Sequence, residues 1–135
     1  MTHSIQALTC FAVWTILMAL VMVNHRVFYV LSGRRKINTF PPDGAGVSAF
    51  QARAARAHAN CYENLPIFAS LVLGAAAAGK GAVTDSLAMY AFYARVVQSS
   101  VHLMSTSEAA VMIRATFWTA QVVIMLSWGW RLLLG

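Results

Sequence analysis

Residues 53–66 read Arg53-Ala54-Ala55-Arg56-Ala57-His58-Ala59-Asn60-Cys61-Tyr62-Glu63-Asn64-Leu65-Pro66, and the polar members of this stretch decide the fold. Arg53, Arg56, Asn60 and Glu63 follow one another at spacings of three, four and three. At about 100° per residue they fall within an arc of roughly 80° on one face of a helix. A long, largely apolar run that includes Pro66 follows at once. One face of a membrane helix is therefore polar where it enters the bilayer. Ionisable groups at the edge of hydrocarbon are costly and need partners, either other helices or a bound polar ligand.

Composition supports a membrane setting. The chain of 135 residues is 59% hydrophobic and only 10% charged, with a mean hydropathy of +0.63, which is too apolar for a soluble domain. It reads as a single unit with no room for a second domain. The formal net charge of +6 does not point to nucleic acid, because the basic residues flank apolar segments instead of forming a solvated stripe with interleaved aromatics. Cys10 and Cys61 are expected near opposite ends of their spans and read as unbridged thiols. No pair of histidines at helical spacing supports a metal or haem site.

Working outward from residues 53–66, the sequence predicts an all-α membrane protein of four spans in up-and-down order, with helices at about 5–31, 47–78, 86–104 and 108–133. The first span runs uncharged from about Ile5 to Val23, long enough to cross a bilayer and unlike a cleavable signal. It is expected to end at Ser32-Gly33, before Arg34-Arg35-Lys36 and a turn-rich loop, Phe40-Pro41-Pro42-Asp43-Gly44-Ala45-Gly46. Gly79-Lys80-Gly81 closes the second helix, Thr84 and Asp85 are placed to cap the third, and Ser105-Thr106-Ser107-Glu108 has the spacing of a capping box for the fourth. Arg26, Arg34, Arg35, Lys36, Arg53 and Arg56 cluster around the first connection. That connection is therefore expected to be cytoplasmic, with the third connection on the same side and both termini opposite.

In that topology polar residues from three helices arrive at one depth: Arg53, Arg56, Asn60 and Glu63 from the second, Arg95, Gln98 and His102 from the third, and Arg114 from the fourth. Glu63 can neutralise only one of four arginines, which leaves room for an anion. Arginine forks suit carboxylates, Glu63 suits an ammonium, and Asn60 suits an amide. Glutathione has that inventory, and a guanidinium near its sulfur would favour the nucleophilic thiolate. The competing readings are polar contacts between helices for Arg56, Asn60 and Glu63, a packed histidine for His102, and headgroup contacts for Arg34, Arg35 and Lys36.

Arg56-Ala57-His58-Ala59-Asn60-Cys61-Tyr62-Glu63-Asn64-Leu65-Pro66 resembles the second-helix signature of the membrane-associated proteins in eicosanoid and glutathione metabolism. Ala94-Arg95-Val96-Val97 and Arg114-Ala115 resemble weaker motifs of that family's third and fourth helices. The resemblance implies a homotrimer with glutathione as cosubstrate, bound between neighbouring protomers near the cytoplasmic face. By position, Arg56, Asn60 and Glu63 would hold glutathione, Arg53 would assist, Arg114 would stabilise the thiolate, and Arg95 would organise a helix interface. Well-known members carry an aromatic or histidine and then, one turn later, a tyrosine where this chain has Gln98 and His102. Those two positions are expected in the binding site, with His102 replacing the phenol as a donor.

The function expected from residues and resemblance together is a glutathione-dependent transferase or peroxidase-like enzyme acting on lipophilic electrophiles that enter from the bilayer, with membrane lipids as surroundings. A non-catalytic lipid-binding or scaffold member of the fold is the alternative that the missing phenol favours. A small transporter is a weaker alternative, since nothing polar continues the path past Glu63.

Overall fold

The computed structural model describes residues 1–135 as helices joined by turns: α1 (His3–Leu31), α2 (Ala49–Ala77), the single-turn α3 (Ala82–Asp85), α4 (Ala88–Met104) and α5 (Glu108–Leu134). Three of the long helices begin on a hydroxyl cap. Thr2 accepts from the Ile5 N–H, Ser48 from Gln51 and Ser107 from Ala110, and each cap satisfies one of the amide donors that a helix start leaves free.

Two capping expectations are corrected. The fourth long helix, α5, is capped by Ser107 and not by a box beginning at Ser105; Ser105 is extended after the end of α4, and its Oγ accepts from the Ser107 N–H at 3.1 Å. Thr84 and Asp85 do not cap α4, which begins after Leu87 with no side-chain cap. They lie in α3 and serve α1 instead. Asp85 Oδ1 accepts from the Ser4 N–H at 2.8 Å, and the Thr84 and Ser4 hydroxyls are 2.8 Å apart. A carboxylate at a helix amino end meets both a free donor and the positive pole of the helix dipole. The Ser4 N–H holds the Asp85 carboxyl below its ordinary range.

Pro66 lies inside α2 without ending it. The ring removes one N–H from the ladder, and the Ser70 hydroxyl bonds back to the Pro66 carbonyl at 2.7 Å. The first connection is fitted closely to α2: Gly44 has a φ of +72°, and a Cβ there would stand 2.7 Å from the Gln51 carbonyl oxygen. Only glycine allows this approach.

α1 packs against α2 and α4, α2 against α4, and α4 against α5. The core joins Ala7, Phe11 and Met18 of α1 to Ala57, Cys61, Phe68 and Val72 of α2, Ala88 and Ala91 of α4, and Met125 and Trp128 of α5. Phe68 is central, edge-on to Phe11 at 5.5 Å and to Trp128 at 5.6 Å between ring centroids. The alanines allow the helices to approach closely. Outside this core, Leu20, Val23, Ile67, Leu73, Leu126 and Trp130 are among many large apolar side chains left exposed, a surface suited to lipid or further protein. α1 and α5 are long and apolar enough to cross a membrane. α2 is charged in its first half, and α4 has 17 residues. Both cysteines are free.

Candidate functional site

The polar face of residues 53–66 is helical throughout, since all of it lies within α2. It meets the last turn of α4 and the second turn of α5 around two adjoining hollows. One, of about 380 Å³, is lined by Arg56, Ala59, Asn60, Glu63, His102 and Arg114. The other, of about 420 Å³, is lined by Ala49, Ala52, Arg53, Arg56, His102, Thr106 and Arg114. Arg56, His102 and Arg114 belong to both, so three guanidiniums, one imidazole, one carboxamide and one carboxylate face a shared space. Each volume lies in the range of small-molecule sites, about 300–1,000 Å³.

The side chains differ in how far they are committed. Arg53 Nε donates to the Leu103 carbonyl at 2.8 Å, at the end of α4 where carbonyls lack helical partners. Arg53 therefore ties α2 to α4 while its remaining donors face the hollow. Asn60 Nδ2 donates to the Arg56 carbonyl within α2 at 3.2 Å and the Asn60 main-chain carbonyl accepts from Asn64 Nδ2 at 2.8 Å, leaving the Asn60 Oδ1 to accept from a ligand. Arg56 and Glu63 are exposed, Arg114 is half-buried and His102 is buried. Arg114 Nε is enclosed with no hydrogen-bond partner. A buried donor left unmet costs about 1–3 kcal/mol.

Two of the residues singled out in the sequence are not in these hollows. Gln98 lies one turn before His102 on α4 and faces α5, where its Oε1 accepts from Gln121 Nε2 at 3.3 Å. It makes a contact between helices and does not line either hollow, although the sequence placed it in the binding site. Arg95 is completely enclosed within the chain. Its guanidinium lies 5.5 Å from the centre of the Phe11 ring, and none of its three nitrogens has a hydrogen-bond partner.

Some participants were not anticipated. Thr106 follows α4 and is part of the lining of the second hollow. Gln121 is a buried amide in an otherwise apolar part of α5, and that isolation was the available signal. Ser99 accepts from Trp14 Nε1 at 2.8 Å and donates to the Arg95 carbonyl at 2.7 Å, joining α1 to α4 beneath the site.

The arrangement favours an elongated anion with several acceptors. Two hollows meeting at Arg56 and Arg114 can take a carboxylate at each end, and the sole carboxylate, Glu63, stands at one end for a cationic group. Compared with known proteins, residues 4–134 match the family model described as MAPEG family. No curated protein and no solved structure matches the chain.

Proposed function

The chain belongs to the MAPEG family, whose members include glutathione-dependent transferases and peroxidases, and from that premise we propose that it is an integral membrane enzyme that uses glutathione against lipophilic electrophiles. The observation that carries this reading is the convergence of Arg53, Arg56, Asn60, Glu63, His102 and Arg114 from three helices on adjoining hollows. In this reading Arg56 and Arg53 bind the carboxylates of glutathione, Glu63 accepts from its ammonium, and Asn60 pairs with a peptide group. Arg114 stabilises the thiolate. Beside this cation the thiol pKa falls from its free value near 8.5. His102, buried at the junction of the hollows, donates a hydrogen bond to the same sulfur.

Charge stabilisation and placement do the chemical work. The thiolate electron pair forms a bond to an electrophilic carbon as the leaving group departs, or to a hydroperoxide oxygen as the O–O bond breaks. The apolar surfaces of α1 and α5 deliver the second substrate from the bilayer. The four long helices all span the membrane, with the first connection cytoplasmic. The protomers form a homotrimer in which neighbouring subunits close the open sides of the site.

The test is glutathione binding to purified protein in detergent, read by calorimetry and by ultraviolet thiolate absorbance. Binding accompanied by a thiolate signal is expected, with Arg114→Ala removing the signal and lowering turnover by about 10²–10³-fold, the cost of losing one strong charge-stabilising donor. Binding without thiolate in the unmodified protein favours the scaffold reading, and absence of binding removes the enzyme reading.

A further inference from the structure

Arg95 is the only arginine, lysine or acid among the buried residues, and the glutathione reading gives it no role. All three of its nitrogens are enclosed without a hydrogen-bond partner, and its guanidinium rests 5.5 Å from the centre of the Phe11 ring on α1. A guanidinium does not shed its proton in a protein. The core of the protomer therefore holds a full positive charge.

No carboxylate answers that charge. The chain has four acids, Asp43, Glu63, Asp85 and Glu108, and none of them is buried. Asp85 is taken by the Ser4 N–H at the amino end of α1, and Glu63 lines the candidate site. Around Arg95, α2 offers the thiol of Cys61 as the one ionisable group acting on it, α1 offers the Phe11 ring, and the Gln121 amide of α5 is turned to Gln98. An apolar side chain of similar length would serve a purely structural contact as well or better, because replacing buried charge by apolar volume is often neutral or stabilising. A charge kept at a cost to stability points to a task elsewhere.

Its position supplies the task. Arg95 and His102 are seven residues apart on α4, close to two full turns, so they share a face with about 10 Å of rise between them. The Arg53 bond to the Leu103 carbonyl sets the antiparallel register of α2 and α4, and counting along both helices from there brings Ala57 opposite Ser99 and Cys61 opposite Arg95. These side chains are 2% exposed or less, so a field passing through them escapes the screening of water and salt. Above, the end of α4 turns its carbonyls, the negative pole of the helix dipole, toward the hollows. Arg53 spends its Nε on one of those carbonyls, and Arg56 is exposed. An unscreened positive charge two turns down α4 offsets that pole.

We propose that Arg95 is a permanently unpaired charge that acts through its field on the glutathione sulfur beside His102, favouring the thiolate without touching it. The inference rests on the glutathione reading and adds to it a residue outside the binding hollows.

The test compares the full-length unmodified protein in detergent with Arg95→Met and Phe11→Leu, by ultraviolet titration of bound glutathione and by thermal unfolding without ligand. Arg95→Met keeps the length of the side chain and removes the charge. The titration midpoint of bound glutathione is expected to rise by about one pH unit, the effect of a unit charge about 10 Å away at an effective dielectric of about 20, while the unfolding midpoint stays level or rises. Phe11→Leu loosens the same core and keeps the charge, so its unfolding midpoint is expected to fall and its titration to stay in place. An unchanged titration in Arg95→Met, an equal shift in Phe11→Leu, or a lower unfolding midpoint or loss of folded protein in Arg95→Met overturns the inference and leaves the glutathione reading standing. Absence of a bound thiolate in the unmodified protein overturns both.

Discussion

His102 carries the sharpest difference between this chain and the well-known members it resembles, because a buried imidazole stands where they have a phenol. If its N–H is the second donor to the thiolate, His102→Phe should lower kcat with glutathione by about 10²-fold, and His102→Tyr should retain most of it. Steady-state kinetics on the two variants check this, and equal loss in both makes His102 a packing residue. Arg56, Asn60, Glu63 and Arg114 were legible in the sequence because charge in a span is costly and helical spacing aligns it. Gln98 was not, because spacing on one helix cannot tell which neighbour a face meets. Its partner, Gln121, lies on α5, and Gln121→Leu leaves the Gln98 amide buried without that partner. A loss of about 1–3 kcal/mol is expected, measurable as a lower midpoint of thermal unfolding in detergent with glutathione affinity little changed.

At the scale of elements, the link from Asp85 to the start of α1 makes one boundary of the fold sensitive to acid. The Ser4 N–H holds the folded-state carboxyl below the unfolded value near 3.9. The unfolded chain therefore takes up the proton first as pH falls, and the stabilisation present above about pH 4 is lost as pH drops through the folded value. Unfolding midpoints between neutral and acid pH should fall on the acid side for the unmodified protein, and Asp85→Asn should flatten that part of the curve. The helices themselves were legible from apolar runs and turn formers, although the hydroxyls that cap them were not. The use of Thr84 and Asp85 was not, since a cap supplied from 81 residues away in the chain leaves no local pattern. Gly44 belongs to the same class: its turn was readable from Pro41-Pro42-Asp43-Gly44, whereas its close approach to Gln51 was not. Gly44→Ala should destabilise by more than the ~1 kcal/mol usual for a loop change, through both its positive φ and the contact a Cβ makes.

For the whole molecule, the open sides of the two hollows and the exposed apolar faces of α1 and α5 are what a trimer would close. Native mass spectrometry in a mild detergent should give three copies, and a cysteine placed at Asn38 should react with an impermeant reagent only from the cytoplasmic side. Monomers, or labelling from the opposite side alone, would remove the assembly or the orientation. Family membership was legible from Arg56 to Pro66, while the internal burial of Arg95 was not, because a sequence does not reveal whether a charge faces outward or inward. That burial bears on biogenesis. Arg95 is enclosed within its own protomer, so in the proposed assembly no neighbouring subunit would reach it to neutralise it. A central arginine opposes translocon insertion by about 2.5–3.5 kcal/mol, and α4 is short and also carries Gln98 and His102. On the proposed four-span reading α4 is therefore a poor independent client of the insertion machinery, and it is expected to integrate alongside the strongly apolar helix that follows, with the ring of Phe11 in place to receive the cation.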